Sequence, residues 1–200
     1  MTPRGSDGYM KSYSVMPGSY SVRFTYGDYT KTSKFKIHSD PRHELSSELI
    51  ESKESLLKNI HNDIDDIYSS LERLQSAREQ ILDLQSRFSS EDNYLDIYEL
   101  SKETIKVING VESSLISPKQ KTFQDVINFR NQLDAQFFDL LSKVDRNVPP
   151  VTNGELERFE DLHKKWMDIK SDYDKVIGSV DRINKLIIEK SVPFISGGGN

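Results

Sequence analysis

The chain has 200 residues, 35% hydrophobic and 30% charged, with a net charge of −5 in which the two signs are interspersed. That length allows one or two domains, and the lean hydrophobic share suits long helices with one buried stripe and a broad wet face. The mild acidity implies no basic surface for nucleic acid or anionic lipid, and the absence of cysteine excludes disulfides, thiolate metal sites and cysteine nucleophiles.

Residues 1–16 hold Pro, Gly, Ser and Tyr without sustained periodicity and read as a loose tail or partial strand. Their opening, MTPRGSDGYMKSYS, has no apolar export-signal core, and no apolar run anywhere reaches the roughly 18 residues of a membrane span. The sequence thus predicts a soluble chain without an export signal. From Pro17 the pattern changes to a β-hairpin. Tyr20, Val22, Phe24 and Tyr26 alternate with Ser19, Ser21, Arg23 and Thr25, Gly27-Asp28 makes the turn, and a second alternating run ends at Phe35-Lys36-Ile37. Asp40-Pro41 then ends the sheet pattern.

Beyond this point the period is helical. A first helix capped by Ser46 or Ser47 is predicted to run to Phe88, burying Leu49, Leu56, Ile60, Ile64, Ile67, Leu71, Leu74, Ile81 and Phe88. At about 60 Å it requires a partner helix. Ser89-Ser90-Glu91-Asp92 breaks the chain and caps a second helix over 91–115, with Ile97, Leu100, Ile108, Val111 and Leu115 inward. A third helix starts either at Ser117 with Pro118 or at Thr122 with Asp125; it carries Phe123, Val126, Ile127, Phe129, Leu133, Phe137, Leu140, Leu141 and Val144 up to Pro149-Pro150. Thr152 and Glu155 form a capping box, after which Phe159, Leu162, Trp166, Ile169, Tyr173, Val176, Val180, Ile183 and Ile187 make a coiled-coil-like seam ending near Lys190, ahead of Pro193.

The expected fold is therefore mainly α: an antiparallel up-down-up-down helical bundle whose long first and fourth helices project as a two-helix arm, preceded by a β-hairpin. The expected organisation is 1–42 as tail and hairpin, 43–195 as bundle, and 196–200 as a Gly-rich flexible tail.

Few residues suggest chemistry. His61 and Asp65 stand one helical turn apart, but no second histidine at helical spacing completes a metal pair, so a solvated face is expected. His38 and His43 flank Asp40 in a turn, where hydrogen bonding is the expected role, and His163 is the fourth histidine. Asp63, Asp65 and Asp66 diverge around a helix axis rather than converging. Lys164-Lys165 beside Trp166 could stack nucleic acid, but the tryptophan falls on the seam and the lysines outside it. Tyr9, Tyr13, Tyr20, Tyr26 and Tyr29 could belong to a sugar-binding face or to the buried face of a sandwich. Neither a nucleophile elbow nor a phosphate loop is present, and the sequence indicates no catalytic, cofactor or metal residue.

The segment Pro17-Gly18-Ser19-Tyr20-Ser21-Val22-Arg23-Phe24, with Gly27-Asp28, Phe35-Lys36-Ile37 and Asp40-Pro41-Arg42, resembles the PGTYTV…L…G…V..DPR segment of bacterial sortilin-like (VPS10-like) BNR-repeat β-propeller proteins, often labelled glycosyl hydrolase. The order of the helices, with Trp166 and the Asn184–Pro193 stretch followed by Ile195, is similar, and the likeness spans about residues 16 to 195. The resemblance implies an immunoglobulin- or fibronectin-like sandwich, of which the hairpin is a part, and a parent protein exported from the cell. It places the propeller and most of the sandwich upstream of the matching region, so it assigns no catalytic residue here. On this reading the chain is a non-catalytic structural or protein-interaction module with no cofactor, contacting upstream propeller and sandwich domains or another chain, or pairing with itself through the hairpin or long helices. The alternatives are a carbohydrate-binding accessory domain and a free-standing coiled-coil adaptor. Neither nucleic acid binding nor membrane insertion is expected.

Overall fold

The computed structural model describes residues 12–43, 45–88, 92–117, 119, 129–148 and 150–192. It is mainly helical, with an antiparallel hairpin in front of the helices, as the two periodicities predict. Strands β1 (Gly18–Tyr26) and β2 (Tyr29–Ile37) pair along their whole length, from Gly18 opposite Ile37 to Tyr26 opposite Tyr29. Gly27 takes the left-handed backbone, φ 54°, that the tight turn needs and a side chain disfavours.

Helix α1 (Ser47–Phe88) is capped by Ser46, whose Oγ accepts the Leu49 N–H at 3.3 Å. One 3₁₀ turn, Asp92–Tyr94, leads into α2 (Leu95–Leu115). Helix α3 (Leu133–Arg146) follows, and α4 (Asn153–Glu189) opens on the predicted capping box: the Thr152 Oγ1 accepts the Glu155 N–H at 3.2 Å while the Glu155 carboxylate accepts the Thr152 N–H at 2.8 Å. The helix that ends at Arg146 is shorter than its pattern suggests. Phe129 to Gln132 lie outside any helix, and α3 starts where Asp134 in its first turn accepts the Ala135 N–H. Pro118, Thr122, Phe123, Asp125, Val126 and Ile127, on which the two alternative starts rest, lie outside the described residues, as do the Phe88 side chain, Pro149, Ile195 and the Gly-rich end.

The order of helix directions corrects the up-down-up-down expectation. Along α2, Tyr98 lies beside Gln85 and Glu112 beside Arg78, so α2 runs antiparallel to the second half of α1. Along α3, Asp134 meets Tyr68 while Asp145 and Asn147 meet Lys53, so α3 runs the same way beside the first half of α1. Helix α4 then returns parallel to α1: His163 bonds Asp63 and Trp166 bonds Asp66, partners 100 residues apart. The bundle is up, down, down, up. The physical reason is length: at about 1.5 Å per residue, α2 and α3 in line match the span of α1 or α4, and neither could alone. The long pair is consequently flanked along its length instead of projecting as an arm.

The core lies where the three rows meet. Leu57, Ile60, Ile64, Ile67 and Leu74 of α1 close against Ile97, Ile108 and Leu115 of α2, Phe137 and Val144 of α3, and Leu162, Trp166, Val176 and Ile183 of α4. A second correction concerns the N-terminal tail, whose last residues are packed rather than loose. Met16 is buried in the core, the Tyr13 ring meets His61 edge-on at 5.6 Å, and Ser14 donates its N–H (2.9 Å) and Oγ (3.1 Å) to the Asp145 carboxylate. The hairpin is therefore tied to the bundle by the residues just before it.

Candidate interaction site

Among the described residues, the hairpin carries a run of exposed apolar side chains. Register places Tyr20, Val22, Phe24, Tyr26, Tyr29, Phe35 and Ile37 on one face, together with Ser33 opposite Val22 and Lys31 opposite Phe24, and Ser19, Ser21, Arg23, Thr25, Thr30, Thr32, Lys34 and Lys36 on the other. At its base the apolar face is held in place: the Tyr20 hydroxyl donates to the Met16 carbonyl, and the Tyr20 and Phe35 rings stack at 5.8 Å. Phe35 is nonetheless 48% exposed, and farther out Val22 is 54% and Phe24 61% exposed. The strands carry Arg23, Lys31, Lys34 and Lys36 and only one acid intervenes, Asp28, so the ribbon holds +3 of a chain whose net is −5 and leaves −8 to the rest.

A second open surface is a groove of about 540 Å³ between the C-terminal halves of α1 and α4, floored by Ala77, Ile81, Leu84, Val180 and Ile183. Arg73, Asp83 and Arg87 also line it.

The polar residues singled out by sequence hold the helices together. Asp63 Oδ2 lies 2.8 Å from His163 Nδ1, and burial still raises the Asp63 pKa against the pull of that histidine. Asp66 accepts from Trp166 Nε1 at 3.1 Å and from Lys170, while Asp65 turns to His61 at 3.7 Å. Asp63 and Asp66, three residues apart on one face of α1, both reach α4 and only Asp65 points elsewhere, so the expected divergence of the three is corrected to one. Trp166 is in the core, and Lys164 and Lys165 are exposed. In the turn after β2, Arg42 clamps Asp40 and holds its carboxyl down at about 2, and the His43 N–H donates to the Asp40 carbonyl at 3.1 Å; the His38 side chain is exposed. Tyr9 lies outside the described residues, Tyr13 is in the bundle, and Tyr26 and Tyr29 are exposed at the ribbon tip. Among the described residues no group of three or more His, Asp or Glu is placed to hold a metal ion, and no helix is long and apolar enough to cross a membrane.

Sequence reasoning missed three polar anchors. Lys53, its pKa lowered by burial, donates to the carbonyls of Asp145 (2.9 Å) and Asn147 (2.6 Å) at the end of α3. Arg78 pairs with the buried Glu112 across α1 and α2. Asp134 is buried, accepts from the Tyr68 hydroxyl at 2.9 Å, and is pushed up to about 6 because desolvation outweighs its hydrogen bonds. Lys53 does sit on the buried stripe, four residues after Leu49 and three before Leu56, and that was the available signal.

The fold and the open ribbon define a class, a helical bundle that presents a two-faced β-ribbon. No family model, curated protein or solved structure matches the chain.

Proposed function

We propose that this chain is a non-catalytic structural or protein-interaction module, in which the bundle is a stiff support and the ribbon is the part that engages other β-structure. The observation that carries this reading is the exposed apolar face of Val22, Phe24 and Phe35 beside a bundle with a filled core. Two strands with one apolar face are marginal alone, and face-to-face packing on a second sheet is the usual cover. The resemblance of Pro17–Arg42 to the sandwich strands of sortilin-like propeller proteins supports a sheet from such a sandwich as that cover. The chain would then be the C-terminal part of an exported protein, with its propeller and sandwich as first partners. The cross-helix roles of Asp63, Asp66 and His163 support a structural reading of the residues most suggestive of chemistry.

Hydrogen exchange tests the proposal. In the dilute chain, residues 20–37 are expected to exchange well before residues 155–187. Expressed together with the coding sequence naturally preceding Met1, the same amides are expected to become protected. Ribbon amides that stay fast in the longer protein would overturn the reading.

A further inference from the structure

The face of the ribbon and its edges are separate surfaces, and the edges differ. In a hairpin closed by two residues the flanking pair exchanges both backbone hydrogen bonds, and every second pair after it does the same. Counting from Tyr26 and Tyr29, the backbone groups of Ser19, Ser21, Arg23 and Thr25 point outward on β1, and those of Thr30, Thr32, Lys34 and Lys36 point outward on β2. Lysines on an edge strand discourage further pairing. Strand β2 carries Lys31, Lys34 and Lys36, whereas β1 carries the single charge of Arg23.

We infer that the β1 edge pairs antiparallel with β1 of a second copy of this chain, joining two ribbons into a four-stranded sheet. The sequence of β1 is self-complementary about Val22. Centred there, Val22 faces Val22 of the second copy, Tyr20 faces Phe24, Ser19 faces Thr25, and Arg23 faces Ser21. The apolar residues all stay on one face, and no like charges stand opposite each other. Shifting the register two residues one way sets Arg23 against Arg23, and shifting it two the other way shortens the paired stretch. The contact is isologous, so it closes on a dimer. Strands of nine residues at about 3.3 Å each put the two ribbon bases at opposite ends of the sheet, roughly 30 Å apart. The tip of each ribbon, which carries Asp28, then lies beside the base of the other, which carries Lys34 and Lys36.

This contact uses the edge and is independent of whether another sheet covers the face. The test exploits the lack of cysteine. Val22 and its counterpart form a non-hydrogen-bonded pair with Cα atoms about 4.5 Å apart, within disulfide reach. Under mild glutathione oxidation Val22→Cys should cross-link into a covalent dimer at least ~10-fold faster than Ser33→Cys, its partner position on β2. Equal rates, or no cross-linking of Val22→Cys, would overturn the inference. A second measurement needs no thiol. Ser21→Glu sets an acid opposite Arg23 at both symmetric contacts and should tighten the dimer about 10-fold by sedimentation equilibrium; Ser21→Lys should weaken it about 10-fold, and Thr30→Lys, on β2 opposite the uncharged Thr25, should leave it unchanged. A monomeric wild type, or equal responses at Ser21 and Thr30, would likewise sink the edge. The exchange experiment on the longer protein decides the face reading separately.

Discussion

Bundle and ribbon follow the same rule, an apolar pattern matched to the period of the element, yet they end in opposite states. The stripe of α1 meets stripes from three other helices, and Phe137, Leu162 and Trp166 are almost wholly excluded from water. The ribbon alternates as cleanly, and Phe24 remains 61% exposed. The difference is partnership. Helices of matched length supply each other's cover, whereas a two-stranded sheet has a second face and two edges to satisfy, and a chain with one hairpin holds no other strands among its described residues. An element can thus be fully specified locally and still leave its apolar face open.

The sharpest way to break this comparison is to truncate the bundle. Trp166→Ala removes a side chain 1% exposed together with its bond to Asp66, and about 3 to 5 kcal/mol of stability should be lost in a denaturant titration. A loss under about 1 kcal/mol would take Trp166 out of the core and reopen the stacking role of Lys164 and Lys165.

Next in size is Asp134, where the bundle is not optimal. Its carboxyl titrates near 6 in the fold and near 3.9 in an unfolded chain, so the fold favours the protonated form. Below about pH 4 the group costs nothing; the cost grows as pH rises through 6 and is complete above it. Asp134→Asn, whose amide oxygen can still accept from Tyr68, should stabilise the protein by about 1 to 3 kcal/mol at pH 8 and leave it unchanged at pH 4. Equal effects at the two pH values would mean that the carboxylate is ionised without cost.

What the sequence revealed divides along the same line. The cap of α1 was narrowed to Ser46 or Ser47, of which Ser46 serves; the strands, the capping box at Thr152 and the seam through Trp166 follow local patterns and were legible. The collinear α2 and α3 were not, because the direction of α3 depends on Tyr68 meeting Asp134 and Lys53 meeting the end of α3, contacts between residues 66 to 94 apart that no local pattern encodes. The docking of Tyr13 to Met16 was hidden similarly, in a segment too short for any period to show. For the candidate site, the alternation revealed which residues share a face, but their exposure is a tertiary fact.

A smaller gain lies at the end of α4. Ser191 sits at φ 50°, its N–H donates to the Ile188 carbonyl and the Val192 N–H to the Ile187 carbonyl, each at 3.0 Å, with Val192 buried. This is a Schellman ending with serine where glycine is favoured. Ser191→Gly should add about 0.5 to 1 kcal/mol to the bundle without altering the ribbon, as thermal melting can show. Destabilisation would mean that the serine side chain has a role outweighing the backbone strain.

The smallest expected effect carries the comparison furthest, since it uses one residue type in both regions. Phe137→Ala and Phe24→Ala remove the same atoms, the first from a site with no exposure and the second from the open ribbon. In a dilute monomer the first should cost about 3 to 5 kcal/mol, and the second less than about 0.5 kcal/mol because water already reaches most of the ring. If Phe24→Ala costs more than about 1 kcal/mol under those conditions, the ribbon face is packed within the chain itself. The exposed face would then no longer support a module completed by an outside sheet, and ribbon and bundle would have to be treated as one closed domain.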